Sequence, residues 1–269
     1  MRKLMTLLAL PLLLTLASGA ALAKSDKSRV VKEALFQSVR IEVTLAGKLV
    51  SQASGVVVAV VGHTSYVLTN AHVIEQVANG DEGELAVLVE RPKLLRFAAR
   101  LIAKGKVPEE DLALLSIESK LPPAPLASEE EVSVGDDVVV IGAPYGRSLS
   151  VSSGIVSQLE VTETGAQTAM KTDAAIGYGA SGGGVFEVPS GKLVGLVEGY
   201  RTARVNFTGV RHEDLGFDVP MPGETFLAPP TKIRRFLRRA GLAKIAGLDA
   251  GIPALQRSVP PKAIAQAEP

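Results

Sequence analysis

The chain has 269 residues, 46% of them hydrophobic, with 29 basic and 28 acidic side chains and no cysteine. So even a charge balance gives no electrostatic reason to expect nucleic acid or an anionic membrane as partner. The missing cysteine excludes disulfides, a thiolate nucleophile and a cysteine-ligated zinc site.

At the start, Met1, Arg2 and Lys3 precede an apolar run from Leu4 to about Leu16, and Ala21-Leu22-Ala23 follows. That layout predicts a secretory signal peptide over residues 1–23, and hence a periplasmic or secreted product. The apolar run is short for a full bilayer span, so no stable membrane insertion is expected after cleavage. Removal of Arg2 and Lys3 changes the formal charge from +1 to −1. Residues 24–29 are polar and charged and read as a lead-in to the fold.

Short apolar runs then recur, each closed by glycine, proline or polar clusters. Strands are predicted at Val39–Leu45, Gly55–Val61, Ser65–Thr69, Leu85–Leu88, Phe97–Ala103 and Leu112–Ile117. A second series follows at Asp137–Ile141, Ser150–Leu159, Ala169–Thr172, Gly184–Glu187, Leu193–Tyr200 and Leu215–Val219. Short β-branched strands at this spacing predict an all-β sandwich or barrel. Leu121-Pro122-Pro123-Ala124-Pro125 cannot lie inside a sheet, because proline removes a ladder donor and fixes φ. With the acidic Glu129-Glu130-Glu131 it reads as the linker between an N-terminal barrel (about 34–120) and a C-terminal one (about 130–228). After Pro229-Pro230, the spacing of Ile233, Phe236, Leu237 and Ala240 predicts a helix over 231–245. Arg234, Arg235, Arg238 and Arg239 fall on its other face and read as solvated. Residues 246–269 show no periodicity and read as a disordered tail.

The chain has three histidines: His63, His72 and His212. His72 ends the apolar stretch Tyr66-Val67-Leu68-Thr69-Asn70-Ala71, where a strand runs into a turn that can present an imidazole to a cleft. In Gly179-Ala180-Ser181-Gly182-Gly183-Gly184 a serine sits among glycines, bracketed by Thr172–Ile176 and Val185–Glu187. Without Cβ, glycine lets backbone N–H groups approach a substrate carbonyl. Asp111 stands at the entry to Leu112-Ala113-Leu114-Leu115, where a carboxylate is costly unless paired, and His72 would pair it. Glu109 and Glu110 read as solvated charges. Asp81, in a polar glycine-rich loop, and Asp173, close to the serine in sequence, are weaker candidates.

In the order His72, Asp111, Ser181 the chain resembles the trypsin-like serine proteases, and within them the bacterial HtrA/Deg family. The resemblance rests on Leu68–Ile74, Asp111–Leu115, Ile141–Gly146, Ser153–Ser157, Thr172–Ile176, Gly179–Gly183 and Leu215–Pro220. It implies a chymotrypsin-like pair of six-stranded antiparallel β-barrels with a C-terminal helix. It also implies a catalytic triad of His72, Asp111 and Ser181, with an oxyanion hole from the N–H groups of Gly179 and Ser181. By the same resemblance Ala175 stands where trypsin has its acidic pocket floor, which points to a small or apolar P1 side chain. Leu196, Val197 and Glu198 are expected to form the substrate-pairing edge. Polypeptides are the expected substrates, and no metal or cofactor is implied.

The chain also departs from the family. Ala180 replaces the usual asparagine and Gly184 the usual proline, so a permissive turn with a higher ordering cost is expected. Only a helix and tail follow the barrels, so regulation through PDZ domains is not expected. The rival reading is a protease-fold binding or chaperone-like protein whose oxyanion loop is unproductive.

Overall fold

The apolar runs form strands close to where their alternation puts them. The computed structural model describes residues 26–78, 83–163, 166–206 and 216–242; the expected signal peptide and tail lie outside these, as do Asp81 and His212. Strands β1 (Ser38–Leu45), β2 (Lys48–Val61), β3 (Thr64–Thr69), β4 (Gly83–Val89), β5 (Leu95–Lys104) and β6 (Ala113–Glu118) close one barrel in the order β1-β2-β3-β6-β5-β4. Strands β7 (Asp137–Gly142), β8 (Ser150–Val161), β9 (Gln167–Thr172), β10 (Gly184–Glu187), β11 (Leu193–Asn206) and β12 (Gly216–Ala228) close a second. Its order, β7-β8-β9-β12-β11-β10, repeats the first, and all strand pairs are antiparallel. No sequence repeat announces this duplication.

Strands that face both a barrel interior and the seam explain the unbroken apolar runs. Successive side chains point to opposite faces of a strand. On the run into β6, Ala113, Leu115 and Ile117 fill the first barrel while Leu112 and Leu114 join a core between the barrels. On β7, Val138 and Val140 fill the second barrel, and Val139 and Ile141 face the same seam. Each fully buried Leu or Ile contributes roughly 1.5–3 kcal/mol of apolar burial.

The seam core is completed by helices. The lead-in expected at 24–29 is instead the start of a helix, α1, described over 26–37. Its Val30 and Ala34, one turn apart, are buried in the seam core, and an i,i+4 pair of Arg29 and Glu33 (3.2 Å) supports the outer face. A short helix, α2 (Glu75–Ala78), follows β3. At the other end α3 runs from Pro230 to Arg239, with Ile233, Phe236 and Leu237 fully buried. It stops short of the expected Ile245: Ala240 N–H returns to Phe236 O, and Gly241 takes φ +80°. The proline-rich linker is stitched to both barrels, Ala124 N–H donating to Val57 O and Leu193 N–H to Pro125 O.

Candidate active site

The first barrel contributes an imidazole and its carboxylate. β3 ends at Thr69, and a 3-10 turn begins at His72. Asp111 sits just before β6, which pairs with β3, so the two strand ends come together across the sheet. Asp111 Oδ1 accepts the His72 backbone N–H (2.9 Å), and Oδ2 lies 2.6 Å from His72 Nδ1. Asn70 Nδ2 donates to the Asp111 carbonyl (2.8 Å), which fixes the backbone beneath the carboxylate. Burial works to raise the Asp111 carboxyl, but the side-chain and backbone hydrogen bonds and charge of His72 hold it below its ordinary value. An ionised carboxylate only accepts, so the Nδ1 position carries the proton and Nε2 is left as the basic nitrogen. The Asp111 side chain is 13% exposed and that of His72 39%, so the imidazole alone reaches the cleft.

The second barrel contributes the glycine turn. Ala180 N–H bonds Gly177 O, with Gly179 at φ +87°, a left-handed value that glycine adopts without strain. The carbonyls of this turn are occupied. Tyr178 O accepts Tyr145 N–H, Gly179 O accepts Ser54 Oγ (2.8 Å), and Ala180 O accepts Gly183 N–H. In a planar trans peptide the N–H points opposite the carbonyl. The Gly179 and Ser181 N–H groups are therefore turned away from those anchors, and among the described residues neither donates to a backbone carbonyl. Ser54 on β2 ties the turn down from the first barrel: its hydroxyl also accepts Ala143 N–H, and its N–H donates to Ser181 O. Thr69 Oγ1 donates to Ser54 O, so the serine turn and the His72 turn rest on the same residue pair. Among the described residues no hydrogen bond joins His72 to Ser181 or engages the Ser181 hydroxyl.

The expected permissive turn is instead closely packed. A Cβ on Gly182 would stand 2.2 Å from Ser54 O and 2.5 Å from Thr69 Oγ1. Glycine is required there by the approach of the two barrels.

The specificity residues separate. Ala175 lines a cavity of about 190 Å³ with Ala174, Ile176, Tyr200, Met221 and Thr225. Asp173 also reaches it, but its Oδ1 accepts Ile155 N–H. Leu196 and Val197 do not form a substrate edge. Both are fully buried, and their backbones are paired on one side with β12 and on the other with β10 or the serine turn. A register shift between Val197 and Gly199 follows, and beyond it β11 keeps β12 on one side only among the described residues. Glu198 lies in that bulge, and its carboxylate pairs with Lys232 of α3. Burial pushes the Glu198 carboxyl up, Lys232 opposes this, and the charges of Asp111 and His72 act on it in opposite senses.

Several functional neighbours carried no sequence signal. Tyr145, Tyr178 and Tyr200 form a series of tilted and edge-to-face ring contacts beside Gly179, with ring centroids 6.3 and 5.5 Å apart. Ser54 lies in an ordinary polar stretch. Glu110, expected as a solvated charge, is buried and pairs with Arg239 and Arg235 of α3, while Arg234 donates to Ala127 O. Arg235 and Arg239 stay exposed on the helix's outer face, as expected, yet both reach the buried Glu110, whereas Arg234 is half-buried. Among the described residues no cluster of three or more His, Cys, Asp or Glu could hold a metal ion, and no helix is long and apolar enough to cross a membrane.

Two six-stranded barrels closing on a histidine–aspartate pair define a chymotrypsin-like fold. The model of the trypsin-like peptidase domain matches residues 53–196, and the chain belongs to that family. It is 36% identical over 174 residues to a probable periplasmic serine endoprotease DegP-like of Ectopseudomonas mendocina, covering 64% of this chain and 33% of that protein. With the periplasmic serine endoprotease DegP of Escherichia coli it shares 32% identity over 154 residues, 55% of this chain and 30% of that one. The chain thus spans about a third of the length of these relatives. A crystal structure of the serine endoprotease from Yersinia pestis shares the fold, with a TM-score of 0.59 at 24% identity, covering 80% of this chain and 66% of that chain.

Proposed function

We propose that the chain is a serine endopeptidase acting on exposed or unfolded polypeptide, exported to the periplasm as its named relatives are. The observation that carries this reading is the two-point grip of Asp111 on His72, opposite a glycine turn that offers Ser181. Ser181 Oγ attacks the scissile carbonyl carbon while His72 Nε2 takes its proton, giving a tetrahedral oxyanion that the Gly179 and Ser181 N–H groups receive. Collapse breaks the C–N bond, His72 protonates the leaving amine, and an acyl-enzyme remains. Water, deprotonated by the same imidazole, then releases the acid and restores Ser181. Asp111 holds the tautomer throughout.

The substrate strand pairs with the open edge of β11 that begins at Glu198, and its P1 side chain enters the cavity at Ala175. That cavity suits a small or medium apolar side chain by its volume and by Ala174, Ala175, Ile176 and Met221 in its lining, with Asp173 at its margin held by Ile155 N–H. Burial and the neighbouring Tyr178 raise the Tyr200 phenol well above its ordinary value, so it stays neutral there. The rival reading, a protease-fold binding protein, draws on the missing His72–Ser181 hydrogen bond, although such bonds are often long before substrate binds.

Labelling with a fluorophosphonate probe separates the two. Stoichiometric labelling of the wild type, absent in Ser181→Ala, is the expected result. No labelling with unfolded protein present supports the binding reading. For P1, a peptide library should be cut after valine, alanine or leucine; dominant cleavage after lysine or arginine would overturn the reading of Ala175.

A further inference from the structure

The two N–H groups assigned to the oxyanion hole are not held alike. The Ser181 N–H belongs to the peptide whose carbonyl, Ala180 O, accepts Gly183 N–H, so its direction is fixed within the serine turn itself. The Gly179 N–H shares a peptide with Tyr178 O, and that carbonyl is held from outside the turn, by Tyr145 N–H. Tyr145 lies in the short 3-10 turn Pro144–Gly146 between β7 and β8, at φ +57°. A bulky residue keeps that left-handed value only where its surroundings impose it. The two turns touch: a Cβ on Gly179 would stand 2.7 Å from Ala143 O and 3.0 Å from Tyr145 N.

The constraint comes from the first barrel. Arg40 on β1 donates from Nη1 to Gly146 O (2.6 Å), and Glu90, just past β4, accepts Leu149 N–H at Oε2 (3.1 Å). The two side chains face each other, with Arg40 Nε 3.0 Å from Glu90 Oε1, and each is only 16% exposed. Charge-assisted bonds shielded from water in this way hold a loop more firmly than neutral ones. We propose that Arg40 and Glu90 are positioning residues for the oxyanion hole. They brace the loop from Pro144 to Leu149 so that Tyr145 N–H holds Tyr178 O and the Gly179 N–H is turned toward the substrate. This rests on the serine-endopeptidase reading above. Ser54 anchors the next peptide through Gly179 O, so the first barrel sets successive peptides of the serine turn through separate residues.

Arg40→Met, Arg40→Lys and Glu90→Gln test this by two readouts. The chain's only Tyr-Gly sequences are Tyr145-Gly146 and Tyr178-Gly179. Labelling tyrosine carbonyls with 13C and glycine with 15N therefore isolates the Gly146 and Gly179 amides by NMR, with no need of activity. Arg40→Met is expected to shift or broaden both signals. Glu90→Gln, which retains an acceptor for Leu149 N–H, should do so less. Arg40→Lys, able to reach Gly146 O but not to grip Glu90 as well, should recover part of the wild-type spectrum. The second readout compares kcat, KM and inhibition by a peptide boronic acid, whose tetrahedral adduct puts an oxygen in the oxyanion hole. In Arg40→Met, kcat should fall roughly ten- to thirty-fold and the boronate Ki rise by a similar factor, with KM within about two-fold, since only the transition state uses that donor. Should Arg40→Met not fold, the isosteric Glu90→Gln carries the same test. An unmoved Gly179 amide, or a moved one with kcat and boronate affinity unchanged, overturns the proposal. So does a rise in KM without loss of kcat. Moved amides in a chain whose wild type neither labels nor cuts peptides would leave the brace standing and remove the peptidase reading instead.

Discussion

The two barrels share one strand order yet hold their parts of the site by different means. The first grips His72 and Asp111 through side chains: two bonds from the carboxylate to the histidine, and one from Asn70 to the carbonyl behind it. The second presents Ser181 on a turn held by its carbonyls, which are taken by backbone N–H groups and by the Ser54 hydroxyl of the first barrel, while the Ser181 hydroxyl has no partner among the described residues. An acid–base pair needs fixed protonation and orientation, which directed side-chain bonds supply. On the proposed reading, the turn of the nucleophile needs its N–H groups kept free, and tying down the opposite carbonyls achieves this.

This contrast can be broken from either side. Ser181→Ala should give the largest effect, a loss of hydrolysis of roughly 10⁴–10⁶-fold, while unfolding stability stays within about 0.5 kcal/mol because the hydroxyl supports nothing. Steady-state kinetics and urea unfolding read the two arms. Asp111→Asn should lower kcat by roughly 10³–10⁴-fold, since an amide can stabilise the wrong imidazole tautomer. It should also change the pH dependence of stability. A carboxyl held below its ordinary value stabilises the fold above that value and ceases to as pH falls through the folded one. The stability gap between wild type and variant should therefore close below about pH 4, and denaturant curves across pH 3–7 would show whether it does.

On the second barrel's side, Gly182→Ala drives a methyl into Ser54 O and Thr69 Oγ1 at φ +79°. It should cost roughly 1–3 kcal/mol and most of the labelling rate. Ser54→Ala should be milder, about 1–2 kcal/mol with roughly a ten-fold fall in rate, as Gly179 O and Ala143 N–H lose their shared partner. An unaltered labelling rate in Ser54→Ala would mean that the turn holds its shape without the first barrel.

Much of this was legible before the fold was seen. Each of the twelve strands overlaps an apolar run closed by turn residues, but β2 begins at Lys48, ahead of the expected Gly55. Likewise β11 and β12 run on to Asn206 and Ala228, past the expected Tyr200 and Val219, because their outer halves pair without an apolar signal. The break at Leu121–Pro125 falls between the two barrels. His72, Asp111 and Ser181 stand out by residue type and chain order. Residues 24–29 read as a lead-in because Val30 and Ala34 form only a short apolar stripe, too brief to distinguish from a loop until the seam core covers it. Leu196 and Val197 read as a substrate edge but lie between paired neighbours, because a strand's sequence does not say which of its edges is already paired.

What the sequence by itself determined is local: strand alternation, the proline break, the helix after Pro230, and the residue types able to do acyl transfer. These depend on periodicity and near-neighbour sterics, which a linear string carries. Tertiary structure alone decided which charges meet. Glu110 looks solvated and Lys232 looks incidental until α3 crosses the acidic loop and the β11 bulge. Ser54 is anonymous until two barrels close on it. Such pairings join residues more than thirty and often more than a hundred positions apart. Their energies arise from burial and proximity, and neither exists before the seam is formed.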